Sequence, residues 1–298
     1  MADPAGYLST YGSHPRWLVE RWLHRWGVDG ARALVAANNA RPELYLRPLG
    51  IGREEAAARL LEIGADAEPV DFSATSLRVL SSATVAEILA VIPAVVQDPA
   101  ATMVVEYAAV PQGARVLDLC AAPGGKALGL AERAGFVAAA DLSPRRLRRV
   151  RENASRLAWD KRVGVVAADG RHPPFRSADL VLLDVPCTGT GTLRRHPDGR
   201  WRLREDHLSA LTVLQRSLLD SAAAVVRPGG WLVYSTCSLE QEENEVQVKA
   251  FLERHPEWAV DPPGTVPAEL LDERGCLYVL PHRENVDGSF AARLRRPA

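Results

Sequence analysis

The chain has 298 residues, 47% of them apolar and 24% charged, with a formal net charge of -1. This is the profile of an ordinary folded protein, long enough for one large domain and a smaller companion, and it excludes large-scale disorder. The near-neutral charge also excludes a uniformly basic surface, so any nucleic-acid contact must come from a local patch. Leu193 to Arg204 (LRRHPDGRWRLR) and the run Arg145, Arg146, Arg148, Arg149 and Arg151 are the candidates, against the plainer alternative that an arginine run is a solvated helix face.

No basic stretch leading into an apolar run opens the chain, and no segment reaches the roughly 18 uninterrupted apolar residues of a membrane helix, so a cytoplasmic protein is expected. The four cysteines, Cys120, Cys187, Cys237 and Cys276, form no CxxC pair and have no His-rich partner segment. Neither a metal site nor a disulfide framework is expected.

Taken in order, residues 1–95 carry an early cluster of Trp17, Trp22 and Trp26, then turn-forming Asn38-Asn39, Arg41-Pro42 and Arg47-Pro48. They are assigned to a small α+β domain, with the joint to a second domain, 96–298, near Pro93 to Pro99. From Ala114 onward, short apolar runs alternate with helical segments, the pattern of a parallel sheet wrapped by helices. The predicted strands are Arg115–Leu119, Val137–Ala140, Val163–Ala167, Leu180–Leu183 and Trp231–Ser235, followed by Leu277–Leu280 and Phe290–Leu294. Ser143-Pro144 supplies a cap and a first-turn proline for a helix reaching about Trp159. Asp206 to Val226 reads as a long amphipathic helix stopped by Pro228-Gly229-Gly230, and Glu240 to Arg254 as another. The expected fold is α/β, a Rossmann-like doubly wound sheet.

In such a sheet the ligand crevice lies beyond the carboxyl ends of the strands. The predicted strands end at Cys120, Asp141, Asp169, Asp184 and Cys237, which brings three carboxylates and two thiols to one edge. The first of them runs into Cys120-Ala121-Ala122-Pro123-Gly124-Gly125-Lys126, a glycine turn that lets the backbone approach a ligand closely. Lys126 is one of only three lysines. A phosphate-binding loop would need four residues between its glycines and a Ser or Thr after the lysine, and Ala127 stands there, which disfavours a nucleoside triphosphate. For an adenosine ligand, Asp141 is placed to accept the ribose hydroxyls and Asp169 the adenine amino hydrogen. The alternative for each alone is a carboxylate capping the next turn. Cys187 and Cys237 both sit in polar turns beyond apolar strands, unlike structural thiols, which more usually lie within the apolar run.

The stretches LDLCAAPGGK, LDVPCTGTGTLRRHPDGRW, LVYSTCSLEQEENE and PHRENVDGSF together resemble the successive motifs of the Nop/Sun/RsmB-type RNA cytosine-5 methyltransferases, over about His14 to Arg296. The resemblance implies a class I methyltransferase domain preceded by a small RNA-recognition-like domain. It further implies S-adenosylmethionine as cofactor, bound by Cys120, Ala121, Ala122, Pro123, Gly124, Gly125, Lys126, Asp141, Arg146, Asp169, Asp184 and Pro186. Cys237 becomes the nucleophile and Cys187 the thiol that assists product release; Asp184 is placed to contact the base, and Lys126 to meet the carboxylate end of the ligand or the substrate. The implied substrate is RNA, ribosomal by preference and transfer RNA as the alternative, and a monomer is expected. Ala127, Val185 and Ser289 depart from the family pattern, which has Thr, Ala and an aromatic there.

Carbon 5 of cytosine is a poor nucleophile until a thiolate adds at carbon 6, which divides one hard step into two. Asp184, if protonated, would donate to ring nitrogen 3. Two rival readings remain: methylation of an exocyclic amine, which needs no thiol, and a non-catalytic RNA-binding assembly factor on the same fold.

Overall fold

The computed structural model describes residues 3–298. The chain opens with α1 (Pro4–Gly12) and α2 (Arg16–Asn39), the latter kinked at Gly27, whose φ of 67° is open to glycine at no steric cost. A small α+β unit follows: β1 (Leu44–Pro48), α3 (Arg53–Glu62), β2 (Ala67–Pro69), β3 (Leu77–Val79), α4 (Val85–Val91) and β4 (Ala94–Val96). Its antiparallel sheet has the order β2-β3-β1-β4 and closes over Leu46, Leu60, Leu77 and Ile88. Because Val96 still pairs with Leu46, the small sheet runs one residue beyond 95.

The tryptophan-rich start is not part of that core. Leu8, Leu18, Trp22 and Leu34 pack instead with Leu193, Leu239 and Leu280 of the second half, so α1 and α2 brace the large domain.

The large domain comprises α5 (Pro99–Ala108), β5 (Arg115–Asp118), α6 (Gly125–Leu130), β6 (Phe136–Asp141), α7 (Pro144–Arg156), β7 (Val163–Ala167), β8 (Ala178–Asp184), α8 (Gly199–Arg202), α9 (Glu205–Ala224), β9 (Val226–Thr236), α10 (Glu245–Arg254), β10 (Ala259–Val260), β11 (Leu277–Val279), α11 (Pro281–Glu284) and β12 (Ser289–Arg295). The strand order is β10-β12-β9-β8-β5-β6-β7, with β11 also on β12. Strands β5 to β9 are parallel and β12 is antiparallel to β9, so the sheet is mixed rather than wholly parallel.

Alternate residues of the central strands enter opposite cores. Val116, Val137 and Leu180 meet Met103, Leu128 and Val150, while Leu117, Val181 and Leu183 meet Leu218, Leu219 and Phe251. Burial on both faces is why these strands read as continuous apolar runs. The chain steps outward from β5 through β6 to β7 and returns to β8, and that reversal opens a crevice between the ends of β5 and β8.

Three expectations shift. The helix after Ser143 stops at Arg156 rather than Trp159, because Ala158 turns left-handed at φ 56°. Pro228-Gly229-Gly230 lies within bulged β9 rather than in a loop between helix and strand. The helix expected from Glu240 begins only at Glu245, since residues 241–243 form a 3-10 turn and Asn244 is non-helical at φ -112°, ψ -106°.

Candidate active site

A cavity of about 640 Å³ opens at the switch between β5 and β8. Asp118, Cys120 to Lys126, Asp184 and Cys237 line it from the large domain, and Val95 to Asp98 from the small sheet and the joint. Of the expected residues, Cys120 to Lys126, Asp184 and Cys237 line this cavity.

Lys126, Asp184 and Cys237 of this lining belong to two side-chain pairs, and Cys187 lies outside the lining, behind Cys237. Cys187 Sγ and Cys237 Sγ are 3.3 Å apart. Lys126 Nζ donates to Asp184 Oδ2 at 2.7 Å, and Ser235 Oγ donates to Asp184 Oδ1 at 2.8 Å. The Cys237 partner and burial raise the Cys187 thiol well above its ordinary value, and either sulfur can be the donor in the contact. Burial alone would lower the Lys126 ammonium, but the Asp184 carboxylate outweighs it and holds it above the ordinary lysine value. Both oxygens of Asp184 are engaged as acceptors, so the geometry does not favour the expected hydrogen donation to ring nitrogen 3.

The two thiol turns are held by residues that the sequence reading passed over. Thr188 N and Gln215 Nε2 each donate to Glu243 Oε1 at 2.9 Å, and the Thr188 hydroxyl donates to its other oxygen, fixing the turn after Cys187. Asn244 Oδ1 accepts from Thr236 Oγ1 at 2.6 Å and its Nδ2 donates to Ser238 O at 2.8 Å, which fixes the turn around Cys237. The interrupted start of α10 is thus the frame of both thiols. Gly191 N donates to Cys237 O at 2.9 Å, and a Cβ on Gly191 would stand 2.8 Å from both Cys237 O and Gly288 Cα, an approach only glycine permits.

Asp118 was also passed over. It is fully buried at the cavity floor, and among the described residues neither of its oxygens has a hydrogen-bond partner. Burial, with Asp184 nearby, pushes its carboxyl up to about 8.

Other expected cofactor residues sit differently. Asp141 accepts from Ala122 N at 3.2 Å and Ser143 N at 2.8 Å, and Arg146 donates to Ala122 O, so the pair grips the glycine-turn backbone from both sides. Asp169 lies outside the cavity lining and turns both oxygens to Arg171, which holds its carboxyl down to about 2; the expected adenine acceptor is tied up in an ion pair. Pro186 is exposed and outside the cavity, its carbonyl taken by Gln215 Nε2 at 2.9 Å.

The Leu193 to Arg204 run is corrected as a basic patch. Arg195 bonds Asp98 at 2.7 Å and Asp287 at 2.8 Å, Arg194 bonds Asn285 at 3.0 Å, and Arg200 bonds Asn39 at 2.7 Å. Arg195 and Arg200 tie this segment to the joint and to the end of α2, Arg194 ties it to the turn after α11, and of its arginines only Arg202 and Arg204 are exposed.

A sheet of this order, with a glycine turn after its first central strand and two facing thiols over the switch point, defines a methyltransferase of the class I fold. Residues 107–295 match the family model described as 16S rRNA methyltransferase RsmB/F, and residues 14–86 match the ferredoxin-like domain of the same group. The chain belongs to this RsmB/F family, whose members are RNA cytosine-5 methyltransferases. Among its relatives, ribosomal RNA small subunit methyltransferase B of Photorhabdus laumondii is 35% identical over 97% of this chain and 67% of the relative, and that of Pectobacterium atrosepticum 37% identical over 96% and 67%. The chain thus spans about two thirds of the length of these relatives. The crystal structure of PH0851 superposes with a TM-score of 0.90 at 34% identity, covering 99% of this chain and 68% of that one. A methyltransferase homolog protein from Pyrococcus horikoshii gives 0.80 at 25% identity, covering 97% of each chain.

Proposed function

We propose that the chain transfers a methyl group from S-adenosylmethionine to carbon 5 of a cytosine in small-subunit ribosomal RNA through a transient Cys237–carbon 6 bond. The observation that carries this reading is the Cys187–Cys237 contact of 3.3 Å beside the Lys126–Asp184 pair. Methylation of an exocyclic amine would use neither thiol.

The residues fit the cofactor. The buried, unpartnered carboxyl of Asp118 suits a ligand that brings an ammonium group, and Gly124, at φ 105° and packed close against Val150, makes the turn that starts α6 over the cavity. When bound, the cofactor supplies the methyl group on its sulfonium. Cys237 adds to carbon 6, and the displaced ring electrons make carbon 5 the nucleophile that takes the methyl group. Asp184, oriented by Ser235 and Lys126, receives the amino hydrogen of the base, a feature uracil lacks. The carbon 5 proton then leaves to a base, the double bond re-forms, and the carbon 6–sulfur bond breaks. Cys187 donates its hydrogen toward the departing Cys237 sulfur and stabilises it as a leaving group. A target cytosine must be out of its helical stack to enter, so unpaired bases are favoured. In this reading the protein works as a monomer in the cytoplasm; among the described residues no helix is long and apolar enough to cross a membrane.

The test is incubation with unmodified ribosomal RNA and S-adenosylmethionine, then mass spectrometry of the nucleosides. 5-Methylcytidine is expected; N4-methylcytidine would replace the thiol mechanism with amine methylation, and no methylation would favour the assembly-factor reading.

A further inference from the structure

The chain carries two basic runs, and the fold uses up one of them. Arg194 and Arg200 are taken inside the protein and the half-buried Arg195 is held by two carboxylates, whereas the arginines of α7 stay outside. That helix holds six arginines against one glutamate in a chain of net charge -1, so it concentrates positive charge that the rest of the molecule does not share. Among the described residues, Arg145, Arg149 and Arg151 meet no carboxylate within salt-bridge distance, and Arg148 faces only the exposed Glu152 at 3.6 Å.

The spacing on the helix sorts these residues. Leu147, Val150 and Ala154 form the buried stripe. Arg145, Arg149, Asn153 and Arg156 follow one another at intervals of about one turn along the solvent side. Arg149, Asn153 and Arg156 also line the cavity that reaches Cys237. Facing them is the small unit: Arg156 donates to Ala94 O at 2.6 Å, and Leu89 and the 48% exposed Val96 form the opposite wall. The result is a groove with guanidinium groups along one side and an apolar strip along the other, leading to the nucleophile. Single-stranded nucleic acid has that amphipathic character, with charged phosphates on one edge and flat apolar base faces on the other.

We infer that the groove between α7 and β4 is the track of the substrate strand, with Arg145, Arg149 and Arg156 on its phosphates and Leu89 and Val96 against its bases. This rests on RNA being the substrate and adds the path by which it reaches Cys237. It also gives the small domain a share in holding RNA, since one wall belongs to β4.

The experiment compares binding of a cytidine-containing single-stranded RNA oligonucleotide, by fluorescence anisotropy from about 50 to about 200 mM salt. It uses the full chain, the double variant R145Q/R149Q and the charge-matched control R202Q/R204Q, all exposed substitutions that leave the core alone. Each phosphate contact to a single strand contributes about 0.7 to the slope of log affinity against log salt, so R145Q/R149Q should lower the slope by about 1.4. The control should keep the slope of the unaltered chain. If the unaltered chain binds with a salt-dependent slope that R145Q/R149Q retains, or if the control alone lowers it, the groove assignment is overturned while the RNA reading stands. If the unaltered chain binds no RNA at all, the RNA reading fails and the inference with it.

Discussion

Replacing Arg195 with methionine separates a structural arginine from an RNA-binding one. Its guanidinium bonds Asp98 Oδ2 at 2.7 Å and Asp287 Oδ2 at 2.8 Å, tying the joint between the domains to the turn before β12. The side chains of both acids are only 8% exposed, so Arg195→Met leaves two buried carboxyl groups without their cation. Breaking a buried pair by removing one partner costs about 3–5 kcal/mol, and the low end applies because the guanidinium is partly exposed. A loss of about 3 kcal/mol lowers the melting temperature by about 5 °C in a chain of this size.

The loss must also depend on pH. Burial and the nearby Asp98 already raise the Asp287 carboxyl to about 6, with Arg195 pulling against them, and removing Arg195 lets it rise further. A carboxyl raised in the folded state costs stability as pH climbs from its unfolded value toward its folded one, so the penalty of the variant is full at about pH 8 and smaller at about pH 5. Urea unfolding of both proteins at the two pH values measures it. A loss below about 1 kcal/mol at the higher pH, or one that is the same at both, would refute the reasoning.

Asp118→Asn removes a buried carboxyl raised to about 8, so its stability relative to the unaltered chain should increase as pH rises from about 4 to about 8 and level off above, read by denaturant unfolding across that range. Glu243→Ala strips the acceptor from three neutral donors in a fully buried spot; a destabilisation of at least about 1–3 kcal/mol is expected in the same assay, and a near-neutral result would mean that Glu243 does not frame the Cys187 turn. Gly191→Ala drives a Cβ to 2.8 Å from Cys237 O and Gly288 Cα, both backbone, and should cost about 1–3 kcal/mol and lower methyl transfer through displacement of the Cys237 turn. Equal activity and stability in that variant would show that the two loops can part freely.

Much of this site was readable in the sequence because strand periodicity and the strand-end rule act locally. Val163–Ala167 was predicted to the residue, and the ends of β5, β8 and β9 placed Cys120, Asp184 and Cys237 at one crevice before any coordinates. What escaped depends on tertiary packing. A run such as LRRHPDGRW shows charge but not which arginines fold inward, so Arg194, Arg195 and Arg200 looked like a surface patch. Asp118 reads as the last residue of a strand; its significance comes from lying buried under the cavity. Glu243 and Asn244 look like the first turn of a helix, and only the positions of Thr188 and Thr236, some 55 and 8 residues back in the chain, reveal that they hold two loops together. At Asp169 the strand-end rule does not show the local ion pair with Arg171, two residues on, that engages the carboxylate.

The account rests most on the division of labour between the two thiols, and trapping the covalent intermediate tests it most directly. Wild type, Cys237→Ala and Cys187→Ala are incubated with unmodified ribosomal RNA and methyl-labelled S-adenosylmethionine, then run on a denaturing gel. The account predicts a labelled protein–RNA adduct that accumulates with Cys187→Ala, turnover without accumulation in wild type, and neither adduct nor methylated RNA with Cys237→Ala. Methylated RNA from Cys237→Ala, or an adduct that survives its loss and vanishes with Cys187→Ala, would contradict the assignment of Cys237 as nucleophile.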